Sequence, residues 1–420
     1  MLLFRVFSIP VRFFIALLIY FSWGPLAGGV VTAPVPEFSS PALIPYPSKV
    51  VRGAGEAGFR SVQVKVGPDV PGRDDLMKEI KDIFRTSGIQ GSLNSGGAAE
   101  GAMTWELFPD ARMKGEGYDL SVGLGKATVR AGSFGGFFNA LQTLRQLVFN
   151  REGEFAMPVV RISDKPAFVL RGVMLDVGRY YMSPALIKEV MRRLSRYKIN
   201  TLHLHLTDDP AWRMEVKKYP ALTDGAFHWK SRLPGRFYTQ AQLKDLTDYC
   251  ARLNIQVIPE IDMPGHSQPF ARAMKTGMQT EKGVSILKDV VDEAVSLFPG
   301  RFFHMGSDEA HISMKDFIPR MAEHIRGKGK EVVVWSPGGP HDKDSVLMCW
   351  GENEAGARMD KNMKRIDSNG FYIDWADSQS GVYQVFFQQP CEVPQGDDKA
   401  LGAIMPVWCD GNLSSERRVL

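Results

Sequence analysis

The chain has 420 residues and a formal net charge of +4, from 51 Lys and Arg against 47 Asp and Glu. Arg5 and Arg12 sit in an acid-free leader, so the remainder is nearly neutral and lacks the basic field that binds nucleic acid. The length allows about two or three domains, one of them large enough for a barrel, and four cysteines are too few for a disulfide scaffold.

Arg5 and Arg12 lead into the apolar run Phe13–Trp23, followed by Ala27 and Gly29 at signal-peptidase spacing. That run is well short of the roughly 20 apolar residues of a spanning helix. Residues 1–29 are therefore expected to be a cleaved export signal that leaves no stable membrane span, with the protein periplasmic or secreted. Residues 30–42, rich in Pro, read as a linker.

Residues 43–165 read as a small α+β domain. Ser61-Val-Gln-Val-Lys-Val66 alternates like a strand, Asp75–Arg85 has helical apolar spacing, and Tyr118–Val122 with Ala127–Ala131 resemble a hairpin pair. Gly135–Val148 is then helical, with Phe138, Leu141, Leu144 and Leu147 on one stripe.

From residue 166 to residue 420 short apolar runs alternate with amphipathic helices, the pattern of parallel strands with crossovers. Eight runs qualify as strands: Val169–Val177, Thr201–Leu206, Gln256–Ile261, Phe302–Met305, Val332–Trp335, Val346–Trp350, Phe371–Ile373 and Ala403–Trp408. Eight parallel strands close a (β/α)8 TIM barrel, so the fold class is α/β. Ala185–Tyr197, Gln240–Leu253 and Ile286–Leu297 fill early crossovers. The stretch around Pro337-Gly-Gly-Pro340 is too short for a helix, and so little sequence follows the eighth run that the final barrel helix is expected to be missing.

Polar residues collect where these runs end: Asp176 and Arg179; His205, Asp208 and Asp209; Glu260, Asp262 and His266; Asp308 and Glu309; Trp335; Trp350; Tyr372 and Asp374; Trp408 and Asp410. In a parallel barrel all those ends open on one mouth. Singly, each has an ordinary reading as a helix cap or a packing aromatic; gathered at one face they form a site. Tryptophans beside carboxylates suit a pyranose, whose C–H faces pack on aromatic rings while its hydroxyls hydrogen-bond to acids and Arg. Phe302–Ala310 is a strand-like run that stops at Asp308 and Glu309. On an extended strand those side chains point to opposite faces and cannot easily flank one sugar carbon as nucleophile and acid, so the nucleophile is expected from elsewhere.

His203-Leu-His205 resembles the His-x-His of barrel metallohydrolases, but no such pair recurs at later strand ends. An inward histidine satisfied by a carboxylate is the expectation, with neither metal nor cofactor.

These residues resemble glycoside hydrolase family 20, the β-N-acetylhexosaminidases. The resemblance rests on Arg171-Gly-Val-Met-Leu-Asp-Val-Gly-Arg179, Leu202-His-Leu-His-Leu-Thr-Asp-Asp209 with Trp212-Arg213, Pro259-Glu-Ile-Asp-Met-Pro-Gly-His266, His304-Met-Gly-Ser-Asp-Glu309, Tyr372-Ile-Asp374 and Trp408-Cys-Asp410. Upstream, Ile44-Pro-Tyr-Pro47 and Gly136–Leu147 look like the small domain that precedes such barrels. The resemblance implies an exo-acting retaining enzyme that removes terminal β-linked GlcNAc or GalNAc from glycans or chito-oligosaccharides. The substrate's own 2-acetamido group would be the nucleophile, an exception to the two-carboxylate rule. By the same comparison Glu309 is the general acid and then base, Asp308 orients and stabilises the acetamido group, and Tyr372 donates to its oxygen. Arg179, Asp374 and Asp410 would bind ring hydroxyls, Trp335, Trp350 and Trp408 would wall the pocket, and Asp208 with His266 would tune Glu309. Ser307, Pro210-Ala211, Tyr180-Tyr181 and Asp410 depart from the commoner pattern, and none removes a catalytic group. A catalytically poor carbohydrate-binding protein on the same barrel is the alternative.

Overall fold

The computed structural model describes residues 42–93, 100–151, 153–351, 360–373 and 387–411. The expected leader, all but the last residue of the linker, and Asp374 lie outside the described residues.

A mixed sheet forms the N-terminal layer. Its strands Lys49–Phe59, Glu154–Asp164, Tyr118–Gly123, Lys126–Ala131, Ala102–Pro109, Ser61–Val66 and Gln90–Leu93 lie side by side in that order. The expected hairpin is present, with Tyr118–Gly123 and Lys126–Ala131 antiparallel across Leu124-Gly125, where Gly125 supplies the positive φ of 72°. Alternation sets the buried face: Met103, Trp105 and Leu107 on one strand, Leu120 and Val122 on another. Two helices supply the rest of that core. Arg73–Ser87 contributes Leu76, Ile80, Ile83 and Phe84 and is closed by Gly88 in the left-handed conformation. Phe134–Leu147 begins at Ser133, whose Oγ accepts the Gly136 N–H at 3.0 Å. The paired strands Lys49–Phe59 and Glu154–Asp164, eleven residues each, have no counterpart among the expected elements. Lys49–Phe59 contains three glycines, is exposed along most of its length and shifts register between Arg52 and Glu56, so only its partner strand reveals it.

Eight parallel strands then close a barrel in sequence order: Leu170–Asp176, Thr201–His205, Gln256–Glu260, Phe302–His304, Glu331–Ser336, Val346–Cys349, Lys364–Asp367 and Ala400–Val407. Met174, Ile258, Phe302, Val333, Met348, Ile366 and Ile404 pack its interior. Helices Pro184–Ser195, Gln240–Ala251, Glu281–Leu297 and Phe317–Gly327 serve as crossovers, and strands five and six are joined without one, as their spacing requires. The seventh strand corrects the expectation: it is Lys364–Asp367, not Phe371–Ile373. Its sequence, Lys-Arg-Ile-Asp, has one apolar residue and hides the strand from a hydropathy reading. Its burial is made tolerable by hydrogen bonds, since Asp367 accepts the Cys391 N–H at 2.7 Å and the Asn369 N–H at 3.0 Å. Phe371–Ile373 follows as loop and carries Tyr372 to the barrel mouth.

The sheet layer docks against residues at the N-terminal ends of the strands, away from the mouth. Glu116, in the loop before Tyr118–Gly123, pairs with Arg171 and accepts from the Asn200 amide at 3.1 Å and the Asn254 amide at 2.8 Å. Lys198 reaches back to Asp164 at 2.9 Å and to the Tyr118 hydroxyl at 3.0 Å. Among the described residues no helix is long and apolar enough to cross a membrane, and the four cysteines are buried.

Burial pushes the Glu116 carboxyl up, but Arg171 and the two amides outweigh it and leave it below its ordinary value. Its contribution to stability is therefore complete above the ordinary carboxylate range and lost as pH falls through the lowered value. Glu116→Ala is expected to destabilise the fold by about 2 kcal/mol at pH 7. In urea unfolding curves the deficit should shrink as the pH drops below about 4; a deficit independent of pH would show that the pairing with Arg171 is not its source.

Candidate active site

The strand ends open on a mouth of about 400 Å³, lined by Arg179, His205, Asp262, His266, Asp308, Glu309, Trp335, Trp350, Tyr372, Trp408 and Asp410. Arg179 is aimed by the turn after strand one, where Asp176 accepts its backbone N–H at 2.9 Å. Its guanidinium meets three carboxylates, Asp176 at 3.1 Å, Asp208 at 3.0 Å and Asp410 at 3.1 Å, and lies 4.8 Å over the Trp408 ring. Burial works against its charge, but those three acids outweigh burial and raise its pKa, so it stays cationic.

Asp208 lies just beneath the mouth, almost fully buried. One of its oxygens is 3.0 Å from His205 Nε2; the other is 3.5 Å from His266 Nδ1 and accepts the Asp209 N–H at 2.6 Å. Burial alone would raise its carboxyl, yet His205, His266 and Arg179 hold it far below its ordinary value. The opposite ring nitrogen of His266 is 3.3 Å from Glu309 Oε2. The Asp208 bond, resisted by burial, pushes the His266 pKa up to about 10, making it an imidazolium at neutral pH. His266 and Glu309 both hold left-handed backbone, with φ of 45° and 48°, a conformation uncommon outside glycine and concentrated at functional sites.

The alternation expected for Asp308 and Glu309 does not occur. Strand four stops at His304, and the chain turns through positive φ at Gly306 (66°), Ser307 (83°) and Glu309 (48°), so both carboxylates line the same mouth. Glycine is required at 306, where a Cβ would stand 1.8 Å from Asp262 Oδ1. Asp308 is partly buried, and burial first, then the charges of Glu260 and Glu309, push its pKa up to about 7. Glu309 stands open to solvent with its side chain 56% exposed. Burial and the charges of Glu260 and Asp308 also raise Asp262 well above its ordinary value.

Aromatic rings form the remaining walls. Trp408 has Trp335 at 5.7 Å, Tyr372 at 6.2 Å and the His205 ring edge-on at 5.2 Å; the Trp350 indole donates to the Pro337 carbonyl at 3.0 Å. Such a cup, with acids at its floor and rim, can hold one sugar ring and move protons at its edge.

Three groups bring possible metal ligands within 4.8 Å: His203, Glu260 and His304; His205, Glu260 and Asp262; Asp208, Asp262 and His266. Two of their three carboxylates are already engaged, while Asp262 Oδ1 has no hydrogen-bond partner among the described residues. Glu260 accepts the Trp335 indole N–H at 2.7 Å, a donor that no ion can share, and Asp208 is held by Arg179. The His203 and His304 rings stack at 4.7 Å and 24° rather than converging on a point. These groups fit a hydrogen-bonded network better than a metal centre.

The mouth thus gathers Glu309, Asp308, Tyr372, Arg179, Trp335, Trp350, Trp408, Asp410 and His266, with Asp208 behind them. His205 and Asp262 line it too, and Glu260 backs it; sequence reading placed all three at this mouth but gave none of them a role. Their signal was available in their positions at the ends of strands two and three.

The model for glycosyl hydrolase family 20, catalytic domain, matches residues 168–284, and that for glycosyl hydrolase family 20, domain 2, matches residues 40–165. The chain belongs to glycosyl hydrolase family 20. A beta-hexosaminidase of Porphyromonas gingivalis is 30% identical over 73% of this chain and 49% of its own length, and one of Vibrio furnissii is 29% identical over 70% and 61%. The chain thus spans about half to three fifths of the length of these curated relatives. Among solved structures, a mutant Streptomyces plicatus beta-hexosaminidase in complex with product GlcNAc superposes with a TM-score of 0.77 at 26% identity, covering 90% of this chain and 87% of that one. A chitobiase of Flavobacterium johnsoniae gives a TM-score of 0.74 at 26% identity, over 87% and 65%. The catalytic-domain match ends before strand four and does not reach Asp308 and Glu309.

Because the Asp308 pKa is raised in the folded state, its neutral form is favoured there. Its contribution to stability is complete below the ordinary carboxylate value and is lost as pH rises through about 7. Asp308→Asn removes the buried charge, so the variant is expected to be more stable than the parent, with a margin that grows by roughly 2 kcal/mol between about pH 5 and 8. Thermal melts at the two pH values check this; an equal margin at both would mean that Asp308 is not held neutral.

Proposed function

We propose that this protein is an exo-acting retaining β-N-acetylhexosaminidase that hydrolyses terminal, non-reducing β-linked GlcNAc or GalNAc by substrate-assisted catalysis. The observation that carries this reading is Glu309 in contact with His266 beside the half-buried Asp308, at the edge of a tryptophan-walled mouth of about 400 Å³. Membership of family 20, beta-hexosaminidase relatives and the GlcNAc in a structural neighbour support it.

In this reading Glu309 gives its proton to the glycosidic oxygen as the bond to the anomeric carbon breaks. The carbonyl oxygen of the 2-acetamido group attacks that carbon from the opposite face, forming a cyclic oxazolinium. In its ionised form, reached as pH rises through about 7, Asp308 faces the acetamido nitrogen and stabilises the positive charge that develops there. Tyr372 donates its hydroxyl hydrogen to the acetamido oxygen and holds it in attack geometry. Water then enters on the face the aglycone left, Glu309 takes its proton, and the acetamide is regenerated. Arg179 and Asp410 hold ring hydroxyls, with Asp374 assigned the same role from sequence alone, while Trp335, Trp350 and Trp408 enclose the ring. The natural substrates are β-N-acetylhexosaminide glycans or chito-oligosaccharides, met outside the cytoplasm if residues 1–29 direct export.

Aryl β-glycosides test this. The β-GlcNAc and β-GalNAc forms should be cleaved and the β-glucoside, which lacks the nucleophile, left nearly intact; comparable turnover of all three would sink substrate assistance. On the N-acetyl substrates Glu309→Gln should lose about 10²–10⁴-fold in rate, and full activity in that variant would place the acid elsewhere.

A further inference from the structure

Glu260 ends the third barrel strand and is fully buried behind the lining of the mouth, although the reaction proposed above gives it no part. A carboxylate in that position is tolerated only if donors occupy its lone pairs. Oε1 accepts the Trp335 indole N–H at 2.7 Å and lies 3.2 Å from His304 Nδ1. Oε2 is 2.6 Å from His205 Nδ1 and 2.9 Å from His203 Nε2. His304 Nδ1 accepts the Gly306 N–H at 3.0 Å, so it does not supply the charge that Glu260 needs. His205 does. It has a carboxylate at each ring nitrogen, Glu260 at one and Asp208 at the other, and this sandwich holds both nitrogens protonated.

Two branches leave this carboxylate. Through Trp335 it reaches the aromatic wall, where Trp335 packs against Trp408. Through His205 it reaches Asp208, then His266, then Glu309. We propose that Glu260 is a positioning residue for the reaction: by binding Trp335 with one oxygen and His205 with the other, it fixes the sugar-binding wall and the Asp208–His266–Glu309 line in one geometry. The inference rests on the hydrolytic reading above and deepens it.

The charged and titratable groups around Glu260 are His203 and His205 from strand two, His304 from strand four, and Asp262 and Asp308 toward the mouth, with Asp176 acting on His205 from strand one. Among them, Asp308 is like-charged and is held up by burial first and by Glu260 next. Glu260→Gln keeps an acceptor for the Trp335 indole. Its amide NH2 meets His205 Nδ1, which must give up its proton. The line to Glu309 is loosened while Asp308 loses a repelling neighbour and ionises more readily. A role confined to packing would leave the ionisation of Asp308 where it was.

Turnover of aryl β-GlcNAc by the full chain, measured against pH, tests this with Glu260→Gln, His266→Gln and the double variant. For Glu260→Gln the expected result is a roughly 10- to 100-fold fall in kcat, as for other hydrogen-bonded supports of functional side chains. The acidic limb of kcat/KM should move to lower pH, and adding Glu260→Gln to His266→Gln should cost several-fold less than it does in the parent. Wild-type kcat with an unmoved acidic limb overturns the proposal, and so does a loss that repeats in full in the His266→Gln background. If Glu260→Gln fails to fold, His205→Gln cuts the same line while leaving the Trp335 bond intact; it should lower kcat with KM nearly unchanged, and an unchanged kcat overturns the proposal. An inactive parent removes the hydrolytic reading and this inference together, whereas an active parent beside an unimpaired variant removes only the inference.

Discussion

Asp208 is a buried carboxylate with three cationic groups around it, and the mouth is arranged about that cluster. Arg179 at 3.0 Å, His205 at 3.0 Å and His266 at 3.5 Å each approach it from a different stretch of the barrel. Such a charge is stable in the interior only when fully paired, so the three partners are held as firmly as the acid itself. Arg179 is thereby held over Trp408 and against Asp410, and His266 against Glu309. The Arg179 edge and the Glu309 edge of the mouth thus share one anchor.

The rest of the fold leaves that anchor undisturbed. The sheet layer meets the barrel at the N-terminal ends of the strands through Glu116 and Lys198, while the candidate site lies at the C-terminal ends, the division common to parallel barrels. Apolar side chains such as Met174, Val333 and Ile404 pack the interior. Above them sit Glu260, His203, His205 and His304, fully buried; Glu260 is bonded to His205 and to the Trp335 indole, while both His203 nitrogens and His304 Nε2 have no hydrogen-bond partner among the described residues.

Much of this is legible in the sequence because barrel strands buried on both faces read as apolar runs; Thr201–His205 and Ala400–Val407 announce themselves in that way. Lys364–Asp367 does not, since its burial depends on hydrogen bonds from the distant Cys391 and the neighbouring Asn369 rather than on hydropathy. The carboxylates at 308 and 309 were found by their place at the end of an apolar run, but their shared direction was not, because the turn is imposed by Gly306 packed against Asp262, a contact across 44 positions of chain. The role of Glu260, though not its place at the mouth, escaped notice for a similar reason. Its partners lie on strands two, four and five, and nothing local distinguishes it from an acid that caps a loop.

The central claim is that the nucleophile arrives with the substrate, and electron withdrawal at the acetamido group probes it most directly. Aryl β-GlcNAc analogues carrying N-acetyl, N-fluoroacetyl, N-difluoroacetyl and N-trifluoroacetyl groups differ in the nucleophilicity of the carbonyl oxygen and little in size. If that oxygen attacks the anomeric carbon, kcat/KM falls steeply with each added fluorine; a rate indifferent to fluorination would contradict the account and require a nucleophile from the protein.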